Sequence, residues 1–322
     1  MKNKYPQNIQ IEITNYCNSK CIICPIKSMK RKRGIMEFKL FKKIIDDCKE
    51  NKFKGEVLPF LNGETFLVPN VLDYLRYIRS HLPNSRIVLF SNASKMSSKI
   101  SDKIIEENLL DVLVVSFDGG TKKAYESVRR GLSFEEVKNN VHYFIKKRNE
   151  LNKRKPLVTI SMVVTKENMN TRKKLKKEFI DADEIRFCKM FNFAGQLKKA
   201  KNNFSAIKNF FYKQNYCSRL ADFLTILVDG DTALCCFDYE GKINLGNVKE
   251  HSIKEIWNGE KRLKILENLN KRKFKELPLC SDCDFINHNI ITRQILKTEP
   301  KIRKNKWMYS LLKNLYIDSG IE

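Results

Sequence analysis

Cysteines are the residues best suited to chemistry in this sequence, and eight of the ten fall into two groups. The first group is Cys17, Cys21 and Cys24, spaced as CxxxCxxC. Three thiolates are one short of a four-thiolate zinc site, and none of the four histidines stands near enough in sequence to complete one. Three thiolates can instead bind three irons of a 4Fe-4S cluster and leave the fourth iron open to a small ligand. The spacing therefore predicts a reactive iron-sulfur site.

The second group is looser and lies in the last third of the chain. It consists of Cys217, Cys235, Cys236, Cys280 and Cys283. Four thiolates can close either a 4Fe-4S cluster or a structural zinc site. Zinc sites favour two close CxxC pairs, and only Cys280 and Cys283 form such a pair, so the spacing favours a cluster and leaves zinc as the alternative.

Elements that could position these groups are visible in the first two thirds of the chain. Short β-rich runs alternate there with segments whose apolar residues have helical spacing, which predicts repeated βα units and a parallel sheet. Such a sheet is either doubly wound or curled toward a barrel, and in a barrel the chemistry collects at the carboxyl ends of the strands. The six predicted strands are Ile9–Thr14, Glu56–Leu61, Arg86–Ser91, Val112–Phe117, Leu157–Val164 and Glu184–Cys188.

A CxxxCxxC loop directly after the first strand of a βα chain resembles the radical S-adenosylmethionine (SAM) superfamily. The resemblance implies an α/β fold with a partial (β/α)6 barrel, which we expect over residues 1–194. It also implies that SAM binds the open iron of a 4Fe-4S cluster held by the first cysteine group. Reductive cleavage of SAM would then give a 5′-deoxyadenosyl radical that abstracts a hydrogen atom from the substrate, while the protein aims the cofactor.

Other segments resemble the SAM-binding motifs of that superfamily at successive strand ends. Asn62-Gly63-Glu64-Thr65 stands where Gly-Gly-Glu-Pro is usual, and a carboxylate there would hold the SAM ammonium. Ser91-Asn92-Ala93 is similar to the Thr-Asn-Gly that meets the ribose of SAM. Further along the chain, Ser116 and Arg129 would reach the SAM carboxylate. By this resemblance the expected cofactor-binding residues are Ile23, Gly63, Glu64, Ser91, Asn92, Ser116, Arg129 and Val164.

The second cysteine group resembles the SPASM extension of radical SAM enzymes, which binds auxiliary clusters. Cys217, Gly230 and Cys235 read as C-x12-G-x4-C, and a Leu-Gly-Asn-Val stretch follows at 245–248. Since no cysteine follows Cys283, the resemblance implies one auxiliary 4Fe-4S cluster, with the ligands Cys217, Cys235, Cys280 and Cys283. Cys236 remains an alternative to Cys235. We place this domain at residues 195–300, with a basic amphipathic tail at 301–322.

Size and charge limit the remaining possibilities. A chain of 322 residues with 42% apolar residues has enough apolar material for a core, and its net charge is +25. No apolar run approaches the length of a bilayer span, and residues 1–8 are polar, so we expect a cytoplasmic protein whose thiols stay reduced. The segment 301–317 could contact the inner membrane surface or pack on the body of the protein. No nucleic-acid-binding motif accompanies the charge, so we expect no nucleic acid partner.

The resemblance implies an enzyme, most simply one that oxidises a small molecule such as a sugar or an aminocyclitol. The substrate would be either the free molecule or a nucleotide- or lipid-linked form of it. The auxiliary cluster would take an electron, and a flavodoxin- or ferredoxin-type protein would supply the reducing electron. Cys188, at the end of the sixth predicted strand, is a candidate hydrogen-atom donor in an alternative epimerisation, although a buried apolar role is also open to it. Peptide modification is a further alternative, as is a non-catalytic electron carrier or scaffold.

Overall fold

The computed structural model describes residues 5–197 and 217–285. The six expected strands are present in the first part of the chain. Their observed bounds are β1 (Asn8–Ile11), β2 (Glu56–Leu58), β3 (Arg86–Ser91), β4 (Val112–Ser116), β5 (Leu157–Val164) and β6 (Glu184–Lys189). The helices between and after them are α1 (Phe38–Glu50), α2 (Val71–His81), α3 (Ser98–Glu106), α4 (Lys122–Val128), α5 (Phe134–Glu150) and α6 (Arg172–Glu178).

Residues 217–285 add three short strands and three α-helices. These are α7 (Ser218–Asp222), β7 (Phe223–Ile226), β8 (Asp231–Ala233), β9 (Asn244–Asn247), α8 (Ile253–Trp257) and α9 (Glu260–Asn270). Strand β7 pairs in parallel with β1, while β8 and β9 follow as antiparallel strands. One sheet therefore continues from the part of the chain that carries the first cysteine group into the part that carries the second.

The sheet is parallel from β1 to β7 and has the strand order β6-β5-β4-β3-β2-β1-β7-β8-β9. Each crossover between β1 and β6 passes through helical structure, as parallel strands require. On one face, Ile9, Ile11 and other alternate strand residues are buried against the helices. The opposite face holds a separate apolar cluster that joins Phe223 of β7 to residues of β2, β3 and β4. Because β7 reaches that cluster from the far side of β1, the sheet curls, which confirms the predicted partial barrel.

The second cysteine group has its own small core. Leu220, Leu234, Leu269 and Leu277 are buried together with Cys217, Cys280 and Cys283. None of the helices in the described ranges is long and apolar enough to cross a membrane. The predicted basic tail at 301–322 lies outside the described residues, as does part of the expected 195–300 domain.

Candidate active site

The first cysteine group lies on a loop that follows β1. Cys21 is 3% exposed, and Cys17 and Cys24 are half-buried. The hydroxyl of Ser19 lies between two of the thiols, 3.1 Å from Cys17 Sγ and 3.2 Å from Cys21 Sγ, which donates to it. Burial raises the pKa of the Cys17 thiol and raises that of Cys24 to about 12. These thiols need a nearby positive charge to ionise, and the iron of a cluster supplies one, so the donor set fits the cluster expected from the sequence.

Gly63 brings the loop after β2 against the cysteine loop. A Cβ atom at this position would stand 2.2 Å from the carbonyl oxygen of Thr14 and 2.8 Å from that of Tyr16. The next amide, of Glu64, donates to the Tyr16 carbonyl oxygen at 2.8 Å. A side chain at residue 63 would therefore push Glu64 away from the cysteine loop.

Glu64 is buried and held by three donors. Its carboxylate accepts from Ser91 Oγ at 2.7 Å, from the Asn92 amide at 2.7 Å and from the Phe66 amide at 3.2 Å. Burial raises the pKa of Glu64, while these hydrogen bonds and the charge of Arg129 oppose the shift. The expected residues Glu64, Ser91 and Asn92 thus form one network, although they come from two different strand ends.

The Asn92 side chain continues this network toward the cysteine loop. Its Nδ2 donates to Asn18 Oδ1 at 3.0 Å and lies 4.0 Å from Cys17 Sγ. Its Oδ1 accepts from the Ser94 amide at 2.9 Å. Asn18 in turn donates to Ser94 Oγ at 2.8 Å. The side-chain amide of Asn92 is therefore held beside the cysteine loop in one orientation.

Arg129 and Asp118 form the charged pair on the other side of the cysteine loop. Arg129 Nε donates to Asp118 Oδ2 at 2.5 Å, and Arg129 Nη1 lies 3.7 Å from Cys21 Sγ. Burial lowers the pKa of the guanidinium, but Asp118 and Cys21 outweigh burial, so the net shift is upward and Arg129 stays charged. Asp118 also accepts from the Val163 amide at 2.5 Å, which ties the pair to the end of β5.

Of the three remaining expected SAM contacts, Ile23 lies in the cysteine loop, and Ser116 and Val164 lie on opposite faces of the sheet. Ile23 is buried in a small apolar cluster with Cys21 and Val128, against which Val163 packs. Ser116 pairs in register with Ser161 on the inner face of the barrel. Val164 packs against the helix-side core, and its neighbour Val163 packs against the apolar cluster of the cysteine loop. Because side chains alternate along a strand, Val163 lies on the same face as Ser161 and Val164 lies on the opposite face.

Cys188 lies on the inner face, at the carboxyl end of β6. It pairs in register with Val163, and its Sγ lies 3.6 Å from Ser161 Oγ. Burial raises the pKa of its thiol, and Asp118 contributes in the same direction against the opposing hydrogen bond from Ser161. The sulfur is therefore a protonated thiol at neutral pH, within the face that Ser116 also lines.

The second cysteine group is drawn together in the small core. Cys217, Cys280 and Cys283 are buried, and Cys235 and Cys236 are half-buried beside them. Burial raises the pKa of Cys235, as do the neighbouring thiols of Cys236, Cys217 and Cys283. In residues 5–197 and 217–285, no three Cys, His, Asp or Glu side chains converge on a single metal ion. A cubane cluster does not require that convergence, because each thiolate binds a different iron.

One buried carboxylate that the sequence did not single out, that of Glu12, joins the two parts of the site. Glu12 follows β1, and its carboxylate accepts from Arg31 in the segment after the cysteine loop. It also accepts from Asn62 Nδ2 at 2.8 Å and from the Val228 amide at 3.2 Å. Asn62, which replaces the usual glycine of the motif, is thus a hydrogen-bond donor to Glu12.

Comparison with known proteins agrees with this geometry. Residues 11–179 match the radical SAM superfamily, and residues 217–284 match SPASM, an iron-sulfur cluster-binding domain. The first match covers more than half of the chain, so the protein belongs to the radical SAM superfamily and carries a SPASM-type domain at its C-terminal side. These domains imply 4Fe-4S clusters and SAM as cofactors.

Two curated relatives align over most of the chain. One is the tungsten-containing aldehyde ferredoxin oxidoreductase cofactor-modifying protein of Pyrococcus furiosus, 23% identical, with 85% of this chain and 86% of the relative covered. The other is the S-adenosyl-L-methionine-dependent 2-deoxy-scyllo-inosamine dehydrogenase of Niallia circulans, 20% identical, with 87% and 93% covered.

Solved structures share the fold. BtrN in complex with AdoMet and 2-DOIA has a TM-score of 0.61 at 17% identity and covers 88% of this chain and 94% of its own. Streptococcus suis SuiB bound to the precursor peptide SuiA has a TM-score of 0.65 at 14% identity, with 88% and 73% covered. At these identities the likeness shows the fold alone.

Proposed function

We propose that this radical SAM enzyme oxidises a small polar molecule, a sugar or an aminocyclitol, and passes one substrate electron to an auxiliary 4Fe-4S cluster. The observation that carries the proposal is the second cysteine group, whose four expected ligands Cys217, Cys235, Cys280 and Cys283 lie in one small core. Four thiolates leave no iron open for substrate, so a cluster there is suited to electron transfer. The 2-deoxy-scyllo-inosamine dehydrogenase among the relatives supports the same reaction class.

Electron balance explains why the auxiliary site matters. When bound, the first cluster and SAM supply a 5′-deoxyadenosyl radical, which removes one hydrogen atom from an alcohol carbon. Conversion of that alcohol to a carbonyl then requires loss of the hydroxyl proton and of one further electron. An electron acceptor near the substrate completes the oxidation, and a redox-neutral reaction does not need one.

The roles of the protein's own residues follow from the site. Cys17, Cys21 and Cys24 would hold the first cluster, and Glu64 would accept the SAM ammonium while Ser91 and Asn92 keep its carboxylate in place. Arg129, fixed by Asp118, would bind the SAM carboxylate. Ile23 and the end of β5 would pack near the adenine.

Anaerobic reconstitution tests the proposal. Two clusters predict about eight irons per chain, falling to about four when Cys17, Cys21 and Cys24 are all changed to Ala. With a low-potential flavodoxin or ferredoxin as electron donor, the wild-type protein should form 5′-deoxyadenosine, and a deuterated substrate should transfer deuterium into it. About four irons with one retained zinc would rule out the auxiliary electron acceptor. A loaded, reduced protein that leaves SAM intact would rule out catalysis and favour a carrier or scaffold.

Epimerisation is the second candidate, because the protonated thiol of Cys188 lies on the inner face beside Ser161. Such a thiol could return a hydrogen atom to the opposite face of a substrate radical. A Cys188→Ala variant that retains both SAM cleavage and product formation would exclude this role. Loss of product with continued formation of 5′-deoxyadenosine would favour it over oxidation.

Peptide modification is the third candidate, favoured by the likeness to a protein solved with a precursor peptide. Incubation of the loaded enzyme with deuterated peptides would distinguish it, since deuterium in 5′-deoxyadenosine would then come from the peptide rather than from a polyol.

A further inference from the structure

We infer that the inner face of β2–β6 binds a polyhydroxylated ring without phosphate, with Phe60 and Phe90 against its C–H face and Ser161 and Arg186 at its hydroxyl groups. This inference rests on the proposed function and names the substrate class of that site. It concerns residues that lie outside the SAM-binding network and that the reaction itself does not identify.

Strand register places these residues on one face. Phe90 pairs with Val114, Val114 with Thr159, and Thr159 with Glu184. One pleat nearer the carboxyl ends, Ser116 pairs with Ser161 and Ser161 with Arg186. Register partners in a parallel sheet point to the same side, so two adjacent rows of side chains cross the inner face.

Contacts confirm which face this is. Phe187, which stands between Arg186 and Cys188 in β6, is buried in the helix-side core. Nζ of Lys176 in α6 lies 5.5 Å from the centre of its ring. Its neighbours Arg186 and Cys188 therefore point to the inner side. Val114 and Phe90 belong to the separate inner cluster that also includes Phe223.

The aromatic part of the surface is a stacked pair. The ring centroids of Phe60 and Phe90 are 4.7 Å apart, and the ring planes differ by 29°. Both rings remain partly exposed, although Val88 and Val114 beneath them are buried. Each stacked ring covers one face of the other, so a ligand would meet the part of the pair that stays exposed, and an aromatic ring attracts the weakly positive C–H groups of a saturated ring.

The polar part of the surface is a charge pair with spare donors. Arg186 Nε donates to Glu184 Oε1 at 2.6 Å, and Glu184 Oε2 accepts from Thr159 Oγ1 at 2.9 Å. Among the described residues, Nη1 and Nη2 of Arg186 have no hydrogen-bond partner, and 41% of the side chain is exposed. Because the guanidinium is planar, the contact of Nε with Glu184 also fixes the direction of Nη1 and Nη2. These two nitrogens remain available to a ligand.

Charge decides between classes of ligand. Because Glu184 neutralises Arg186 within the same strand, this pair has no net charge with which to attract a dianionic phosphate. Guanidinium donors, a carboxylate and the Ser161 hydroxyl together match alternating hydroxyl groups, and the carboxylate can also accept from one amine. The aromatic pair favours a ring over an extended peptide backbone, which would need edge hydrogen bonds.

Position connects this surface to the chemistry. Val163, one residue pair further along β5 from Ser161, packs in the cluster with Cys21 and donates its amide to Asp118. A ring on Ser161 and Arg186 therefore lies next to the SAM side of the barrel rather than at its far end.

Calorimetric titration of the cluster-loaded, SAM-bound protein, anaerobic and without reductant, tests the inference. The probes are myo-inositol, 2-deoxy-scyllo-inosamine and glucose 6-phosphate. We expect the first two to bind more tightly than the sugar phosphate, and Arg186→Gln and Phe90→Leu each to weaken their binding about ten-fold. Arg172→Gln, an exposed arginine on the outer side of β6, is the matched control and should leave binding unchanged.

Three results would overturn the inference: no binding of either polyol, tighter binding of glucose 6-phosphate, or polyol binding that both inner-face variants leave intact. Iron content and thermal midpoint of each variant show whether it is folded and loaded. Because binding is measured without SAM cleavage, failure of this subsite is separable from failure of the proposed reaction, which the formation of 5′-deoxyadenosine measures on its own.

Discussion

Arg31 Nη2 lies 2.9 Å from both carboxylate oxygens of the fully buried Glu12. The same guanidinium donates from Nε to the Tyr239 carbonyl oxygen at 2.8 Å. Glu12 also binds Asn62 and the amide of Val228, so this one pair connects the end of β1, the segment after the cysteine loop, the loop that carries Glu64 and the SPASM-type part of the chain.

Glu12→Gln should therefore destabilise the protein strongly. The change keeps the shape of the side chain but leaves the buried Arg31 charge without its counter-ion, which costs about 3–5 kcal/mol in comparable buried pairs. Denaturant unfolding under anaerobic conditions measures the effect. Glu107→Gln, which breaks the exposed pair with Arg76, is the control and should cost less than about 1 kcal/mol. Equal losses for the two variants would show that the Glu12 pair has no special structural role.

Arg129→Lys should weaken SAM binding while leaving cluster assembly intact. Lysine keeps the charge but cannot donate to Asp118 and to a SAM carboxylate through one planar fork, so we expect the Kd for SAM to rise about ten-fold or more. Titration of the loaded protein with SAM measures the change. The adjacent exposed Arg130, changed to Lys, should bind SAM as the wild type does. Unchanged affinity in Arg129→Lys would remove this arginine from the SAM site.

Much of the core site could be predicted from sequence because local signals coincide there. The six strands are marked by β-rich apolar runs, and parallel strands bring their carboxyl ends to one edge, so motif residues far apart in sequence had to meet. Glu64, Ser91 and Asn92 do meet in one hydrogen-bond network. Topology predicts that they lie close together, while their selection as site residues rests on the resemblance of their motifs to the radical SAM superfamily.

Other relationships depend on packing that no local pattern encodes. The parallel pairing of β7 with β1 joins segments more than 200 residues apart, and its four-residue strand is preceded by chain with no clear periodicity. The pairing of Glu12 with Arg31 and Asn62 likewise requires the loops to be folded first. Val163 packs against the apolar cluster of the cysteine loop and Val164 against the helix-side core because of strand parity, which can be counted only once a reference residue such as Ser161 is placed on a face.

The stability that Asp111 contributes should be lost in acid. Burial alone would raise the pKa of Asp111, but Lys155, the Ile87 amide and Arg79 together outweigh it and hold the pKa below its usual value. The native state therefore binds fewer protons here than the unfolded state, so the contribution is present above about pH 4 and falls as the pH drops through the lowered pKa.

Asp111→Asn should consequently cost about 1–2 kcal/mol at pH 7, with the exposed Lys155 partner contributing little, and less near pH 3.5. The difference in unfolding free energy between variant and wild type at each pH isolates the effect from acid damage to the clusters, which both proteins share. Asp73→Asn, in an exposed pair with Arg76, serves as control. A cost that stays constant between the two pH values would contradict the lowered pKa.

Cys235 and Cys236 are neighbours in sequence, but we expect only one of them to bind the auxiliary cluster. Cys235 lies near both Cys217 and Cys283 and so joins the two halves of the expected ligand set. Cys235→Ala should therefore leave one iron of the second cluster without a thiolate and change the electronic spectrum of that cluster, because three thiolates leave one iron open. Cys236→Ala should retain about eight irons and the electronic spectrum of the wild type. The opposite result would make Cys236 the ligand, and a wild-type spectrum in both single variants would show that either thiol can complete the site.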